Sequence, residues 1–459
     1  MPSASGRLRV LYDGAPIWVR RAARAVPFGW RIGPVYRSTL RFLMASDRWT
    51  AEALAAYQDE RLGALLDGAI RRVPAYGRYR PLLGKPARSI LRDIEPVSKS
   101  DIQADPDHYL DPTVTASMLY ETSTGGTSGR PLRILLERNG FQVEWAFMVA
   151  QWMRAGYRPG MRKATFRGVA FPGGQLWQEN PVYDELQFSP FAMSEANLSL
   201  YAERLAAYAP DFLYGYPSAL SLLARHYEDH SSPPPPPVRA LLCGSENVRE
   251  GQREYLERVF KARFYSWYGM SEKVILAGEC ESSTLYHAFP QYGVTEILDG
   301  RGALSDAPGA EGELVGTGFM NAAMPFIRYR LGDHARIEGF GCAHCGRAHL
   351  LLGPVRGRWV QEMVVGRTGA KISLTALNMH GKVFDGVRRF QFHQSEAGRV
   401  TLRLVAASSF GEADVARIQD ALEMKTGGEV AWSVETVADL PLSPRGKGVF
   451  LVQEIGDEG

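Results

Sequence analysis

Apolar positions between Ala51 and Ile70 recur at helical spacing (Leu54, Tyr57, Leu62, Leu65, Leu66), and Arg71–Pro74 ends the predicted helix. Pro96-Val97-Ser98-Lys99-Ser100-Asp101 reads as a turn running into a helix cap. Met118-Leu119-Tyr120 and Arg133–Leu136 read as a strand and its return, followed by an amphipathic helix from Phe141 to Met153. Further on, buried strands are predicted at Ala164–Ala170, Phe212–Tyr214 and Ala240–Leu242. They alternate with helices at Glu195–Tyr208, Ser218–Tyr227 and Glu250–Phe260, the signature of a layered α/β domain. Pro233 to Pro237 reads as a polyproline connection. From Thr295 the pattern turns β-rich, with pieces at Thr295–Leu298, Gly312–Thr317 and Phe326–Tyr329, and after Arg358 about a hundred residues carry their own βα pattern.

A length of 459 residues exceeds what one core usually serves, which predicts two domains, 1–358 and 359–459. The class is α/β: a large N-terminal mixed α/β domain followed by a small, mobile C-terminal α+β domain. Charged residues are 22% of the chain and the net charge is only +3, too balanced to predict a nucleic-acid partner. No apolar run approaches the roughly 20 residues of a transmembrane helix, and four cysteines are too few for a disulfide framework, so a cytoplasmic protein is expected. The N-terminal stretch is locally basic: Arg7, Arg9, Arg20, Arg21, Arg24, Arg31, Arg37, Arg41 and Arg48 face only Asp13 and Asp47 within it. It fits either helical faces packed on the main domain or, more weakly, peripheral contact with an acidic membrane. A homodimer is allowed by the composition.

Thr122-Ser-Thr-Gly-Gly-Thr-Ser-Gly-Arg-Pro131 is the stretch richest in chemistry. Small residues let backbone N–H groups approach a polyphosphate, and Thr124, Thr127 and Ser128 add hydroxyl donors. It has neither the Walker spacing nor the dinucleotide fingerprint, and taken alone it reads first as a flexible loop. Downstream, in order, stand Cys243-Gly244-Ser245-Glu246, Trp267-Tyr268-Gly269-Met270-Ser271-Glu272, Pro325-Phe326-Ile327-Arg328-Tyr329-Arg330-Leu331-Gly332-Asp333 and Pro444-Arg445-Gly446-Lys447-Gly448.

Together these motifs resemble the adenylate-forming (acyl-CoA synthetase) superfamily, and within it the phenylacetate–CoA ligase and CapK-like branch, from about Val73 to Glu454. The resemblance implies ATP-dependent conversion of a small-molecule carboxylic acid, aryl or apolar, to acyl-AMP with release of pyrophosphate. CoA is the implied acceptor, with an amine or hydroxyl acceptor as the alternative. A catalytically silent nucleotide-binding scaffold is a third reading. Thr124, Gly125, Gly126, Thr127, Ser128 and Gly129 would bind phosphate, with Gly125 where the family usually has serine and Ser128 where it usually has threonine. Ser245, Glu246, Asn247, Tyr268, Asp333 and Arg358 would hold adenine and ribose. Glu272 would bind Mg²⁺ and take part in catalysis, and Lys447 would bridge the acid and the α-phosphate. Tyr214, Gly215, Tyr216, Trp267 and Gly269 would line the acyl pocket, with core packing as the plain alternative for the aromatics. Glu362 is the candidate hinge acid.

Cys342-Ala-His-Cys345 is a C-x2-C knuckle, and Cys280 and His287 lie on an earlier segment. The four residues would make a structural Cys₃His zinc site, with His344 and His349 as substitutes and unligated thiols as the alternative.

Overall fold

The computed structural model describes residues 17–124, 132–169, 171, 174–230, 233–357, 362–377, 381–407, 409–440 and 450–455. The first helical layer forms where predicted. Ala51–Arg72 is one helix, capped by the Thr50 side chain and buried along Leu54, Leu62, Leu65, Leu66 and Ile70. Ser98 and Asp101 form a reciprocal capping box that starts Lys99–Ala104. A hairpin follows, β1 (Leu119–Ser123) against β2 (Arg133–Glu137), then the helix Gly140–Met153.

The centre is one thirteen-stranded sheet. Its first half holds β3 (Lys163–Phe166), β4 (Trp177–Asn180), β5 (Glu185–Phe188), β6 (Phe212–Gly215), β7 (Ala240–Gly244) and β8 (Arg263–Gly269). Its second half holds β9 (Leu276–Gly278), β10 (Tyr286–Ala288), β11 (Gly293–Leu298), β12 (Leu304–Ser305), β13 (Glu311–Gly318), β14 (Tyr329–Phe340) and β15 (Leu350–Leu352). β5, β3, β6, β7 and β8 run parallel in that spatial order, and from β9 onward the pairing is antiparallel. The helices Glu195–Tyr208, Pro217–Asp229 and Gln252–Phe260 make the crossovers that parallel pairing requires.

The strand predicted over Ala164–Ala170 ends earlier, at Phe166. Tyr329, rather than Phe326, opens β14, because Arg328 takes a left-handed φ of 52°. Arg328 is buried there against Glu296 at 2.7 Å and donates to the carbonyls of Arg92 and Ile94. That anchor ties the N-terminal helical layer to the sheet.

C-terminally, β16 (Met363–Val365) pairs with β17 (Lys371–Ser373). β18 (Val387–Glu396), β19 (Arg399–Ala406), β20 (Ala431–Thr436) and β21 (Leu451–Gln453) form a four-stranded sheet covered by the helix Glu412–Thr426. Ile372, Leu374 and Leu377 share one buried cluster with Phe166 and Leu213. The boundary expected at 358/359 falls outside the described residues.

The basic N-terminal stretch packs on the protein as far as it is described. Arg31 pairs with Asp184 at 2.6 Å and donates to the Pro181 and Val182 carbonyls, Arg21 pairs with Glu179, and Arg37 stacks over Trp30. No described helix is long and apolar enough to cross a membrane.

Candidate active site

Strand register assembles the site. Phe166 of β3 lies opposite Gly215 of β6, Gly215 opposite Cys243 of β7, and Gly244 opposite Trp267 of β8. Parallel neighbours in register end on one edge, so the residues just beyond them converge: Arg167, Tyr216, Ser245 and the Tyr268–Glu272 segment. This is the carboxyl edge where open α/β sheets place ligands. Gly244 is required, because a Cβ there would stand 2.4 Å from the indole nitrogen of Trp267. Ser245 adopts a left-handed φ of 69°, a conformation that side chains resist unless their surroundings enforce it.

A cavity of 340 Å³ lies over this edge. Tyr268, Asp333 and Asn247 form one wall. The Tyr268 hydroxyl donates to Asp333 Oδ2 at 2.8 Å. Asn247 clamps Gly357 at two points, donating to its carbonyl at 2.9 Å and accepting from its amide at 3.0 Å. Glu272 faces the cavity and accepts from the Tyr329 hydroxyl at 3.0 Å. Thr124 also lines it, and its backbone and hydroxyl both pair with Leu132, closing the base of the glycine-rich loop.

Several expected residues sit differently or out of view. Gly125, Gly126, Thr127, Ser128, Gly129, Arg358 and Lys447 lie outside the described residues. Tyr216, Trp267 and Gly269 line the cavity. Tyr214 and Gly215 do not: the Tyr214 hydroxyl lies beneath Arg167, and Gly215 packs against Phe166. Glu246 reaches the lining, but its carboxylate is occupied by the Ser218 amide and hydroxyl and by the Ser373 hydroxyl. Burial pushes the Glu246 carboxyl above the ordinary carboxylate range. Glu362 lies half-buried just before β16, and burial raises its carboxyl as well.

Four charged residues of the cavity went unread as site residues in the sequence: Lys99, Glu144, Lys273 and Arg167. Lys273 pairs with Glu144 at 2.9 Å. Only Arg167 left a trace, a charge inside the apolar run predicted as a strand over Ala164–Ala170, which the structure ends just before it.

The four predicted metal-binding side chains come together. The ligand atoms of Cys280, His287, Cys342 and Cys345 lie within 4.8 Å of one another, and all four residues are buried. Gly341 and Gly346, both at positive φ, bend the chain around the knuckle. His287 Nδ1 lies 2.9 Å from the Leu285 carbonyl, which favours the tautomer whose Nε2 lone pair faces Cys345 Sγ at 3.4 Å. This donor set suits zinc, with no acidic or open position. His344 instead lines a separate groove with Arg253 and Arg263, and His349 is buried beside His287.

Comparison with known proteins shows what the chain resembles. Residues 364–454 match the CapK C-terminal domain. A phenylacetate–coenzyme A ligase of Thermus thermophilus is 25% identical over 326 residues, covering 68% of this chain and 72% of that protein. The CapK protein of Staphylococcus aureus is 20% identical over 371 residues, 80% of each. The chain resembles the phenylacetate–CoA ligase and CapK-like branch of the adenylate-forming ligases. Among solved structures, a 2-hydroxyisobutyryl-CoA ligase in complex with 2-HIB-AMP and CoA shares the ligase fold. The two align with a TM-score of 0.58 at 19% identity over 89% of this chain and 91% of that one.

Proposed function

We propose that this ligase uses ATP to convert a carboxylic acid to its acyl-AMP and then transfers the acyl group to CoA. The supporting observation is the convergence of Thr124, Asn247, Tyr268, Glu272 and Asp333 on one cavity at the carboxyl edge of the parallel strands. Asp333 would accept from the ribose hydroxyls, as a carboxylate does well, and the Tyr268 ring would lie beside adenine. Glu272 is a hard oxygen donor suited to Mg²⁺, which when bound would neutralise charge on the phosphates. The 124–129 loop would cradle the departing pyrophosphate. Lys447 would supply positive charge at the carboxylate and α-phosphate. In this reading 1–358 form the adenylation domain and 359–459 a mobile domain carrying Lys447.

The deciding experiment is acid-dependent ATP–pyrophosphate exchange, with Lys447→Ala as control. Removing a transition-state charge partner of this kind should slow exchange about 10²–10³-fold. Absence of exchange with any acid, despite ATP binding, would favour the silent scaffold. Amines and sugar hydroxyls belong in the acceptor assay beside CoA, because the C-terminal match is to CapK.

Zinc is proposed at Cys280, His287, Cys342 and Cys345 as a structural ion, since four protein ligands leave no place for substrate.

A further inference from the structure

Most of the buried arginines of this protein meet carboxylates. Arg31 pairs with Asp184, Arg253 with Glu279, Arg328 with Glu296, and Arg347 with Asp47 and Glu281. Arg167 differs. It lines the active-site cavity, and among the described residues its guanidinium forms no ion pair. Its Nη1 donates to the Tyr214 hydroxyl and its Nη2 to Ser245 Oγ at 2.7 Å. Three rings surround it, with centroids 5.0 Å (Tyr214), 5.5 Å (Tyr216) and 5.4 Å (Trp267) from Cζ.

These contacts orient the guanidinium and soften its desolvation without neutralising it. Four acids line the cavity and none pairs with Arg167: Glu144 meets Lys273, Glu246 accepts from Ser218 and Ser373, Glu272 accepts from Tyr329, and Asp333 accepts from Tyr268. A guanidinium cannot shed its proton to escape burial, so a fixed positive charge faces the cavity. Burying such a charge is costly unless a counter-charge arrives. Among the described residues no carboxylate supplies it, which leaves an anionic ligand as the source. The aromatic residues of this wall, which the sequence suggested for an apolar acyl group, are occupied in caging the cation.

We propose that the acid activated by this ligase carries a second oxyanion, such as a distal carboxylate, and that Arg167 binds it. This rests on the adenylation reading above and deepens it from an aryl or apolar acid to a doubly anionic one. Arg167 is a specificity residue: it selects the acid at the end remote from the carboxylate that reacts.

The test uses matched pairs that differ only at the distal end, hexanoate with adipate and 4-methylphenylacetate with 4-carboxyphenylacetate, in ATP–pyrophosphate exchange. The wild-type protein should favour the diacid of at least one pair by about tenfold or more, as a charge-assisted contact allows. Arg167→Leu should lower exchange with the diacid about tenfold or more beyond any loss with its monoacid partner, and Arg167→Lys should retain part of the preference. Equal unfolding midpoints establish that the variants fold. A wild-type preference for both monoacids, or an equal loss with both members of a pair in Arg167→Leu, would overturn the proposal. If no acid exchanges, the adenylation reading fails on its own. Calorimetry with adipate and a non-hydrolysable ATP analogue then decides for Arg167: heat lost in Arg167→Leu supports its role, and no heat with the wild type refutes it.

Discussion

The Ser373 hydroxyl donates to Glu246 Oε1 at 2.7 Å, and this contact joins the last residue of β17 to the segment that leaves β7. Glu246 Oε1 also accepts from the Ser218 hydroxyl at 2.9 Å, and Oε2 accepts from the Ser218 amide at 3.0 Å. A buried carboxylate thus links the carboxyl edge of the parallel strands to the C-terminal segment. Any rotation of that segment away from the sheet must first break this contact. Ser373→Ala leaves a buried acceptor short of one donor and should cost about 1–2 kcal/mol. Glu246→Ala strips three donors at once and should cost more, about 3 kcal/mol. Urea unfolding of both variants checks the order as well as the size.

The Tyr268–Asp333 pair separates two contributions to nucleotide binding. Asp333→Ala removes the proposed ribose acceptor and should lower kcat/KM for ATP about 10–100-fold, the worth of charge-assisted hydrogen bonds. Tyr268→Phe keeps the ring and loses only the 2.8 Å contact to Asp333, so its effect should stay within about tenfold. Initial rates at varied ATP distinguish the two. A larger loss in Tyr268→Phe would mean that the hydroxyl, rather than the ring, does the binding.

Elemental analysis of the purified protein should find one zinc per chain. Cys342→Ser should release it and destabilise the fold by about 3 kcal/mol or more, as losses of structural metal do. A strong chelator should lower the unfolding midpoint of the wild type and leave that of the metal-free variant unchanged.

Lys425 supplies a pH test. Burial against the helix Leu374–Leu377 and Phe191 lowers its ammonium from the usual 10.5 to about 8. Between pH 8 and 10.5 the folded state has released this proton while the unfolded chain still holds it. Stability therefore rises with pH across that window, by at most ~1.4 kcal/mol per unit from this one group, and the full penalty applies below pH 8. Lys425→Met should stabilise the protein at pH 7, and its advantage should shrink as pH passes from 8 to 10.5. Denaturant unfolding of both proteins between pH 7 and 10 measures the difference. A constant difference would mean that Lys425 keeps its ordinary affinity for protons.

Much of this protein was written locally. Helical period placed Ala51–Arg72 and Glu195–Tyr208, and the Ser98–Asp101 cap marked a helix start, because these signals depend on neighbours a few residues away. The order of the motifs pointed to the same ligases that the comparisons found similar, and the cysteine spacing picked out the four residues whose ligand atoms converge. Strand ends were less legible. β3 stops at Phe166 because Arg167 turns into the cavity, which depends on Tyr214, Ser245 and Trp267 from three other strand ends.

Arg167 and Glu246 show where the sequence alone stopped. Both are charged residues beside apolar strands, and nothing in their neighbours along the chain separates a ligand-facing charge from a structural one. The parallel register decided it, by setting Arg167 among rings without a carboxylate and by bringing Glu246 against Ser218 and Ser373. Composition and periodicity act over short spans, and together with the order of the motifs they indicated the class of fold and the proposed chemistry. The partners of a buried charge lie far along the chain, 127 positions for Glu246 and Ser373 and 300 for Arg347 and Asp47, and only the packed structure brings those together.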